Sequence, residues 1–373
     1  MAPNPHLQSL HGAGTSIWLD TLSRDLLDTG KFAELIRDYA VTGATSNPTI
    51  FAKAITGSDR YNAQLRGLAD GGERDPQELF FTIALDDVRA AAHELRPAFD
   101  ASGGRDGFVS FECTPDLADD TEATTAQASE LWQRLNKPNV MIKVPATEAG
   151  LPAIEELTRR GVNVNVTLLF AIERYEQVMD AFLRGLTARA ADGAPLDAIA
   201  SVASFFVSRI DTKVDAQLPA DSPLRGRIAI ANARVAYQRY RTTFAGPEWE
   251  HLQALGARTQ RPLWASTGTK DPAYSDVLYV SELIGPEVIN TMPEQTLRAF
   301  ADHGEIGRTV DADPEAAERT LTEAGGAGVD LDAVTAKLER DGVQSFCDSY
   351  HQLLDCVEGK LGALTPTGGA RGV

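Results

Sequence analysis

A lysine inside a short apolar run is the chemically most informative residue of the chain. Lys143 stands in the segment 140–146 (VMIKVPA), whose composition is typical of a buried β-strand. Burial of an ammonium costs free energy, so such a lysine is either paired with an opposite charge or loses its proton. A neutral amine in a desolvated pocket is the nucleophile that forms Schiff bases with carbonyl compounds. The alternative, which this segment alone leaves open, is a strand-end lysine whose ammonium reaches bulk water.

Schiff-base chemistry also needs groups that move protons and hold hydroxyls. The amine attacks a ketone to give a carbinolamine and then an iminium, which is an electron sink for breaking or making a carbon–carbon bond. The proton transfers require acids and bases, for which Asp20 and Glu112 are the candidates. Thr167 and Asn165 carry side chains that can hold a catalytic water or substrate hydroxyls.

Two cations point to an anionic ligand. Arg209 and Lys270 follow the sixth and seventh predicted strands, near the place where barrel enzymes often bind a phosphate. A guanidinium grips such an anion through two hydrogen bonds. The alternative for both residues is a solvated surface charge.

The elements that must position these residues alternate along the chain. Short apolar runs are followed by amphipathic helical runs, which is typical of βαβ units and a parallel sheet. The predicted strands span residues 16–20, 41–46, 108–113, 140–144, 162–170, 198–206, 262–266 and 287–290. Eight such strands favour an α/β fold of the (β/α)8 TIM-barrel type. A doubly wound open sheet is the competitor, but the residues after the first strand lack its glycine fingerprint.

Every predicted strand carries polar residues at or near its C-terminal end, where a barrel builds its active site. These residues are Asp20, Thr45, Ser46, Asn47, Glu112, Lys143, Asn163, Asn165, Thr167, Ser204, Ser266 and Asn290. Asn163, Asn165 and Thr167 share one face because side chains alternate along a strand. For Asn163 we prefer a hydrogen-bonding role in the barrel core.

Helical periodicity extends to the end of the chain. Helices are predicted over 22–39, 48–99 with breaks at 71–72 and 76, 120–136, 150–160, 170–191, 223–244, 314–324 and 330–359. We expect one domain over residues 1–373, with a helical C-terminal extension at about 300–361 that packs on the barrel. The Gly-, Pro- and Thr-rich tail, 362–373, is expected to be frayed.

The composition limits the kinds of ligand and partner that we expect the protein to bind. The 373 residues carry a net charge of -18, which argues against nucleic acid or an anionic membrane but leaves room for a phosphate ligand. The three cysteines and six histidines show no spacing typical of a disulfide framework or a metal site, so we expect no metal and no cofactor. Residues 1–12 lack the apolar core of a signal peptide, so the expected location is the cytoplasm.

Four separated motifs carry a family resemblance over residues 15–305. They are 45–51 (TSNPTIF), 141–147 (MIKVPAT), 163–170 (NVNVTLLF) and 204–211 (SFFVSRID). In this order they resemble transaldolases, and the extended C-terminus resembles the actinobacterial branch. The resemblance implies a metal-free, class I Schiff-base transferase (EC 2.2.1.2) of the non-oxidative pentose phosphate pathway. Such an enzyme transfers a dihydroxyacetone unit from sedoheptulose 7-phosphate to glyceraldehyde 3-phosphate, giving erythrose 4-phosphate and fructose 6-phosphate.

The resemblance also implies a role for each matching residue. It implies that Lys143 is the Schiff-base nucleophile, that Glu112 acts as acid and base through a water held by Thr167, and that Asp20 assists carbon–carbon cleavage. It further implies that Asn47 and Asn165 bind substrate hydroxyls, and that Ser204 and Arg209 bind the substrate or its phosphate. The family's best-known members have an arginine at the strand-seven phosphate position. Segment 265–270 (ASTGTK) offers Ser266 and Lys270 there instead.

Two rival functions share these residues. A lyase of the fructose-6-phosphate aldolase type uses the same Schiff base but releases free dihydroxyacetone. Its members tend to carry tyrosine near the position of Phe206, so Phe206, which we count among the substrate-binding residues, favours the transferase. A non-catalytic sugar-phosphate binding protein would be expected to have lost the lysine or a carboxylate, and this chain retains both. An apolar face on the C-terminal helices leaves a homodimer open.

Overall fold

The computed structural model describes residues 3–364 and shows a closed barrel of eight parallel strands that neighbour one another in chain order. The strands are β1 (Thr15–Leu19), β2 (Gly43–Thr45), β3 (Val109–Glu112), β4 (Val140–Pro145), β5 (Val164–Leu169), β6 (Ser201–Phe206), β7 (Gln260–Ala265) and β8 (Val288–Met292). The predicted (β/α)8 barrel is therefore confirmed, and the open-sheet alternative is wrong.

Seventeen helices surround the barrel within the described residues. They are α1 (Pro5–Gly12), α2 (Arg24–Asp28), α3 (Lys31–Asp38), α4 (Pro48–Gly57), α5 (Asn62–Asp70), α6 (Pro76–Glu94), α7 (Arg96–Ala101), α8 (Thr121–Leu135), α9 (Gly150–Arg160), α10 (Ile172–Ala191), α11 (Ser208–Val214), α12 (Ile228–Thr243), α13 (Pro247–Ala254), α14 (Leu278–Ser281), α15 (Glu294–His303), α16 (Pro314–Gly326) and α17 (Leu331–Leu364).

Several predicted helix boundaries were wrong, and turn geometry explains one of them. The run 22–39 forms two helices, α2 and α3, because Gly30 adopts a left-handed conformation (φ 74°) that ends the first. Helix α12 begins at Ile228 rather than at residue 223, and α17 continues to Leu364, beyond the predicted start of the tail. The rest of the predicted tail, 365–373, lies outside the described residues.

The strands are buried on both faces, which explains why they read as continuous apolar runs. Their register sets the height of each side chain in the barrel. Lys143 on β4 pairs with Glu112 on β3 and with Asn165 on β5. Two residues further along the same strands, Pro145 pairs with Thr167. Polar groups from three neighbouring strands therefore lie at the same level near the C-terminal end of the barrel.

The C-terminal helices α16 and α17 pack against helices that surround the barrel. Helix α16 contacts α12, and the 34-residue helix α17 contacts α4, the turn at 115–117 and α11, which follow β2, β3 and β6 respectively. Helix α17 thus passes across the end of the barrel that carries the polar groups. None of the helices in the described part of the chain combines the length and the apolarity needed to cross a bilayer.

Candidate active site

A cavity of about 230 Å³ opens at the C-terminal ends of the strands. Nine of the eleven residues predicted for the site line it: Asp20, Asn47, Lys143, Thr167, Ser204, Phe206, Arg209, Ser266 and Lys270. The other two, Glu112 and Asn165, are buried directly behind the wall. The sequence motifs therefore converge on a single place, although the role of each residue stays a prediction.

Lys143 is held inside the protein and does not extend into bulk solvent. Its residue is 5 % exposed, and its Nζ donates a hydrogen bond of 3.1 Å to the backbone oxygen of Ser46. Oε1 of Glu112 lies 3.4 Å from the same nitrogen, and the ring of Phe346 lies with its centroid 5.8 Å away. The strand-end alternative, in which the ammonium reaches bulk water, does not fit this geometry.

Both carboxyl groups near the lysine are shifted towards the protonated form. Burial raises the pKa of Glu112, and the charge of Lys143 opposes that shift only in part. Burial likewise raises the pKa of Asp20, against the effects of Lys143 and of a 3.2 Å hydrogen bond donated by Thr45. A raised pKa makes the protonated form of a carboxyl group more accessible, and acid–base catalysis needs groups that can both donate and accept protons.

Three buried oxygens beside Lys143 have no hydrogen-bond partner among the described residues. They are both carboxylate oxygens of Glu112 and Oγ1 of Thr167. Buried polar atoms are normally hydrogen-bonded, often through an ordered water. These atoms fit the predicted water held between Glu112 and Thr167.

Asn165 supports the wall of the cavity. Its Nδ2 donates to Oγ of Ser110 at 2.9 Å, and its Oδ1 accepts from Oγ of Ser204 at 2.7 Å. The predicted contact of Asn165 with substrate hydroxyls stays a prediction. Asn47 is only half-buried and uses its Oδ1 to cap α4 through Ile50, so its amide NH₂ group is the part left for a ligand.

Basic side chains lie on the β6 and β7 side of the cavity. The guanidinium of Arg209 stacks 5.0 Å from the ring of Phe206, and burial lowers its pKa below the usual value. Lys270 is exposed and makes no ion pair within the described part of the chain. Ser266 has a left-handed backbone (φ 55°) and shares a 2.9 Å hydrogen bond with Ser208. Strained residues of this kind concentrate at functional sites.

A buried carboxylate anchors the helix that bears Arg209. Asp211 accepts hydrogen bonds from the backbone N–H of Ala229 at 2.8 Å and from the hydroxyl of Tyr279 at 2.9 Å. Burial raises the pKa of Asp211 to about 7. Tyr279 follows the loop that contains Lys270, so this network ties together the two elements that carry the cavity's basic groups.

Sequence reasoning missed several cavity residues. Thr291 and Pro293 were missed because β8 extends two residues beyond its predicted end, and Thr45 was noted only as a strand-end residue. Thr291 shares a 3.0 Å hydrogen bond with Thr45. Phe346 comes from α17, and no local signal distinguishes it from the other apolar residues of that helix. Asn163, in contrast, bonds to backbone groups of the barrel core as we expected.

Comparison with known proteins agrees with this geometry. The profile of the family described as Transaldolase/Fructose-6-phosphate aldolase matches residues 17–357. The chain belongs to this family. It is 52% identical over 363 residues to a protein named Transaldolase from Parafrankia sp. (strain EAN1pec), covering 96% of this chain and 98% of the relative. A Transaldolase from Mycolicibacterium smegmatis is 48% identical over 369 residues, covering 97% and 99%.

The named relatives also bear on the predicted C-terminal extension. A protein named Transaldolase 2 from Streptomyces coelicolor is 48% identical over 369 residues, which cover 97% of this chain and 99% of the relative. The extension is therefore shared with these relatives of the transaldolase family, and the predicted resemblance to the actinobacterial branch is confirmed.

The Asp211 network predicts how stability depends on pH. Because the pKa of Asp211 is raised on folding, the folded chain binds a proton that the unfolded chain does not bind between about pH 4 and 7. The stabilisation from this group is complete below about pH 4 and is lost as the pH rises through 7. We expect Asp211→Asn to reduce the loss of unfolding free energy between pH 5 and 8 by roughly 1–3 kcal/mol.

Chemical denaturation at several pH values measures this slope. Asp355→Asn is the matched control, because Asp355 is an exposed carboxylate on α17. Equal slopes for wild type and Asp211→Asn would contradict the assignment.

Proposed function

We propose that this protein is a transaldolase, which transfers a dihydroxyacetone unit from sedoheptulose 7-phosphate to glyceraldehyde 3-phosphate. The observation that carries the proposal is Lys143, buried 3.4 Å from Glu112 in a cavity with basic groups on one side. The products would be erythrose 4-phosphate and fructose 6-phosphate. The names of the relatives support the same activity.

Formation of the Schiff base requires a neutral amine and a source of protons. Nζ of Lys143 attacks the C2 carbonyl of the ketose, and the carbinolamine loses water to give an iminium. Glu112, whose pKa is raised by burial, can protonate the departing hydroxyl through a water held by Thr167. The side-chain oxygens of both residues that have no hydrogen bond within the described part of the chain support this role.

Cleavage of the C3–C4 bond requires a base at the C4 hydroxyl. Asp20 lines the cavity and has a raised pKa, so it suits this proton transfer. The electron pair of the broken bond forms a C2=C3 double bond, and the π pair of the iminium moves to nitrogen. The aldehyde leaves, and an enamine remains on Lys143. Attack of this enamine on the acceptor aldehyde reverses the sequence and yields the second ketose.

The basic side of the cavity fits the phosphate group of the substrate. Arg209 and Lys270 both lie on this side, and a guanidinium is suited to a phosphate because it offers paired donors. Lys270 lies near the family's usual arginine position, and we propose that it also binds the phosphate. Asn47, Ser204 and Ser266 supply polar groups for the hydroxyls between the two ends.

The cytoplasm is the proposed location, which fits the free state of all three cysteines. A homodimer through the C-terminal helices stays a prediction.

Loss of the nucleophile should abolish transfer. Lys143→Ala removes the group proposed to form the covalent bond to the substrate, so we expect turnover to fall by about 1,000-fold or more. Lys137→Ala, at an exposed lysine three residues before β4, should keep wild-type turnover. A coupled assay for erythrose 4-phosphate formation measures both. A Lys143→Ala protein with wild-type turnover would sink the mechanism.

Dependence on an acceptor separates the transferase from the lyase. Phe206 carries no hydroxyl and packs against Phe170 at a ring distance of 5.3 Å, so it offers no group to orient a hydrolytic water. We expect fructose 6-phosphate alone to yield only slow release of dihydroxyacetone, and addition of erythrose 4-phosphate to start rapid transfer. Rapid, sustained release without an acceptor would favour the lyase instead.

A further inference from the structure

Helix α17 contributes an aromatic residue to the cavity. Phe346 lines the cavity and is 6 % exposed. Its ring centroid is 5.8 Å from Nζ of Lys143, which is within the range over which an aromatic face attracts a cation. The ring therefore lies next to the nitrogen that is proposed to form the Schiff base.

Polar contacts on several sides hold α17 in this position. Oγ1 of Thr49 donates a hydrogen bond of 2.7 Å to Oγ of Ser349. Ser349 lies one helical turn after Phe346, and Thr49 lies two residues after Asn47. Nε2 of His351 lies 2.9 Å from Oδ2 of Asp116, in the turn after β3. These contacts join α17 to α4, which follows β2, and to the turn after β3.

The remaining contacts reach the other side of the barrel. Glu339 pairs with Arg174 on α10 at 3.6 Å, and Asp341 pairs with Lys213 on α11 at 3.6 Å. Gly342 brings the helix close to the strand ends, because a Cβ added there would meet Cδ2 of Leu168 at 3.0 Å. Contacts on opposite sides of the barrel therefore position α17 across the cavity. This position of the helix places Phe346 next to Lys143.

We propose that Phe346 is a specificity-determining residue, which keeps proton-carrying water away from the enamine on Lys143 and so favours transfer to an aldehyde over release of free dihydroxyacetone. The inference rests on the transaldolase activity proposed above. It adds that a residue of α17 determines whether the enamine reacts with an aldehyde or with a proton.

The chemistry of the two fates shows where such a residue acts. In transfer, the enamine carbon bonds to the carbonyl carbon of the aldehyde, whose oxygen takes a proton, and an iminium re-forms. In release, the same carbon takes a proton instead and also gives an iminium. Water then adds to C2 in both paths, and the product leaves while the amine is freed. The paths differ only in whether carbon receives an aldehyde or a proton.

An aromatic ring is suited to this point of divergence. Phenylalanine has no acidic proton and binds no water, so it leaves the enamine without a proton donor from its side. Its face also attracts the positive iminium on either side of the enamine step. An apolar residue of similar size should retain the first effect, and a polar one should lose it.

The test is the ratio of acceptor-free dihydroxyacetone release to transfer, with fructose 6-phosphate as donor and erythrose 4-phosphate as acceptor. Phe346→Gln and Phe346→Leu form a matched pair, because glutamine and leucine are similar in volume and both favour helices. We expect Phe346→Gln to raise the ratio by about tenfold or more, and Phe346→Leu to stay within about threefold of wild type.

Leu353→Ala controls for simple loosening of the helix. Leu353 is fully buried on α17, two turns after Phe346, and it is not among the residues that line the cavity. Its truncation should lower the melting temperature and leave the ratio unchanged. Equal ratios for Phe346→Gln and Phe346→Leu, or an equal rise in Leu353→Ala, would overturn the inference. Absence of transfer by the wild type would instead overturn the proposed function.

Discussion

The ion pair between Lys143 and Glu112 is the interaction on which the rest of the site depends. Both side chains are buried, and each charge alone would cost several kcal/mol to remove from water. At a separation of 3.4 Å the opposite charges attract each other, which offsets part of that cost. In the proposed mechanism, Schiff-base formation requires the neutral amine, with a nearby carboxyl group as the source of protons. Because the pair lies in the low-dielectric interior of the barrel, its electrostatic interaction is strong and responds to a bound substrate.

The closed sheet makes such a pair feasible. Glu112 and Lys143 are register partners on adjacent strands, so backbone hydrogen bonding fixes their distance before any side chain adjusts. The neighbouring strand adds Asn165 at the same level, and Asn165 in turn holds Ser204. Positions with left-handed backbone at Leu168 and Ser266 lie at the ends of β5 and β7. Packing throughout the barrel has to compensate for their local strain.

The sequence predicted those parts of the structure that depend on local pattern. The apolar runs, the turn signals and the polar strand ends were sufficient for the barrel and for most of the cavity lining. What it did not predict depends on contacts between distant segments. Phe346 reaches the site only because α17 crosses the barrel mouth, and its apolar neighbours along the helix share the same periodicity. Thr291 was missed for a different reason, because the apolar run of β8 fades before the hydrogen-bonded strand ends. The position of Asn165 behind Ser204 depends on side-chain geometry that residue spacing does not contain.

The central claim is that Lys143 forms a covalent iminium with a ketose phosphate, and chemical trapping tests it most directly. Borohydride reduction in the presence of fructose 6-phosphate converts an iminium to a stable secondary amine, and peptide mass spectrometry locates the modified residue. We expect one adduct per chain, on Lys143, with the mass of a reduced dihydroxyacetone or hexose phosphate unit. An adduct confined to other lysines, or the absence of any adduct from active enzyme, would contradict it.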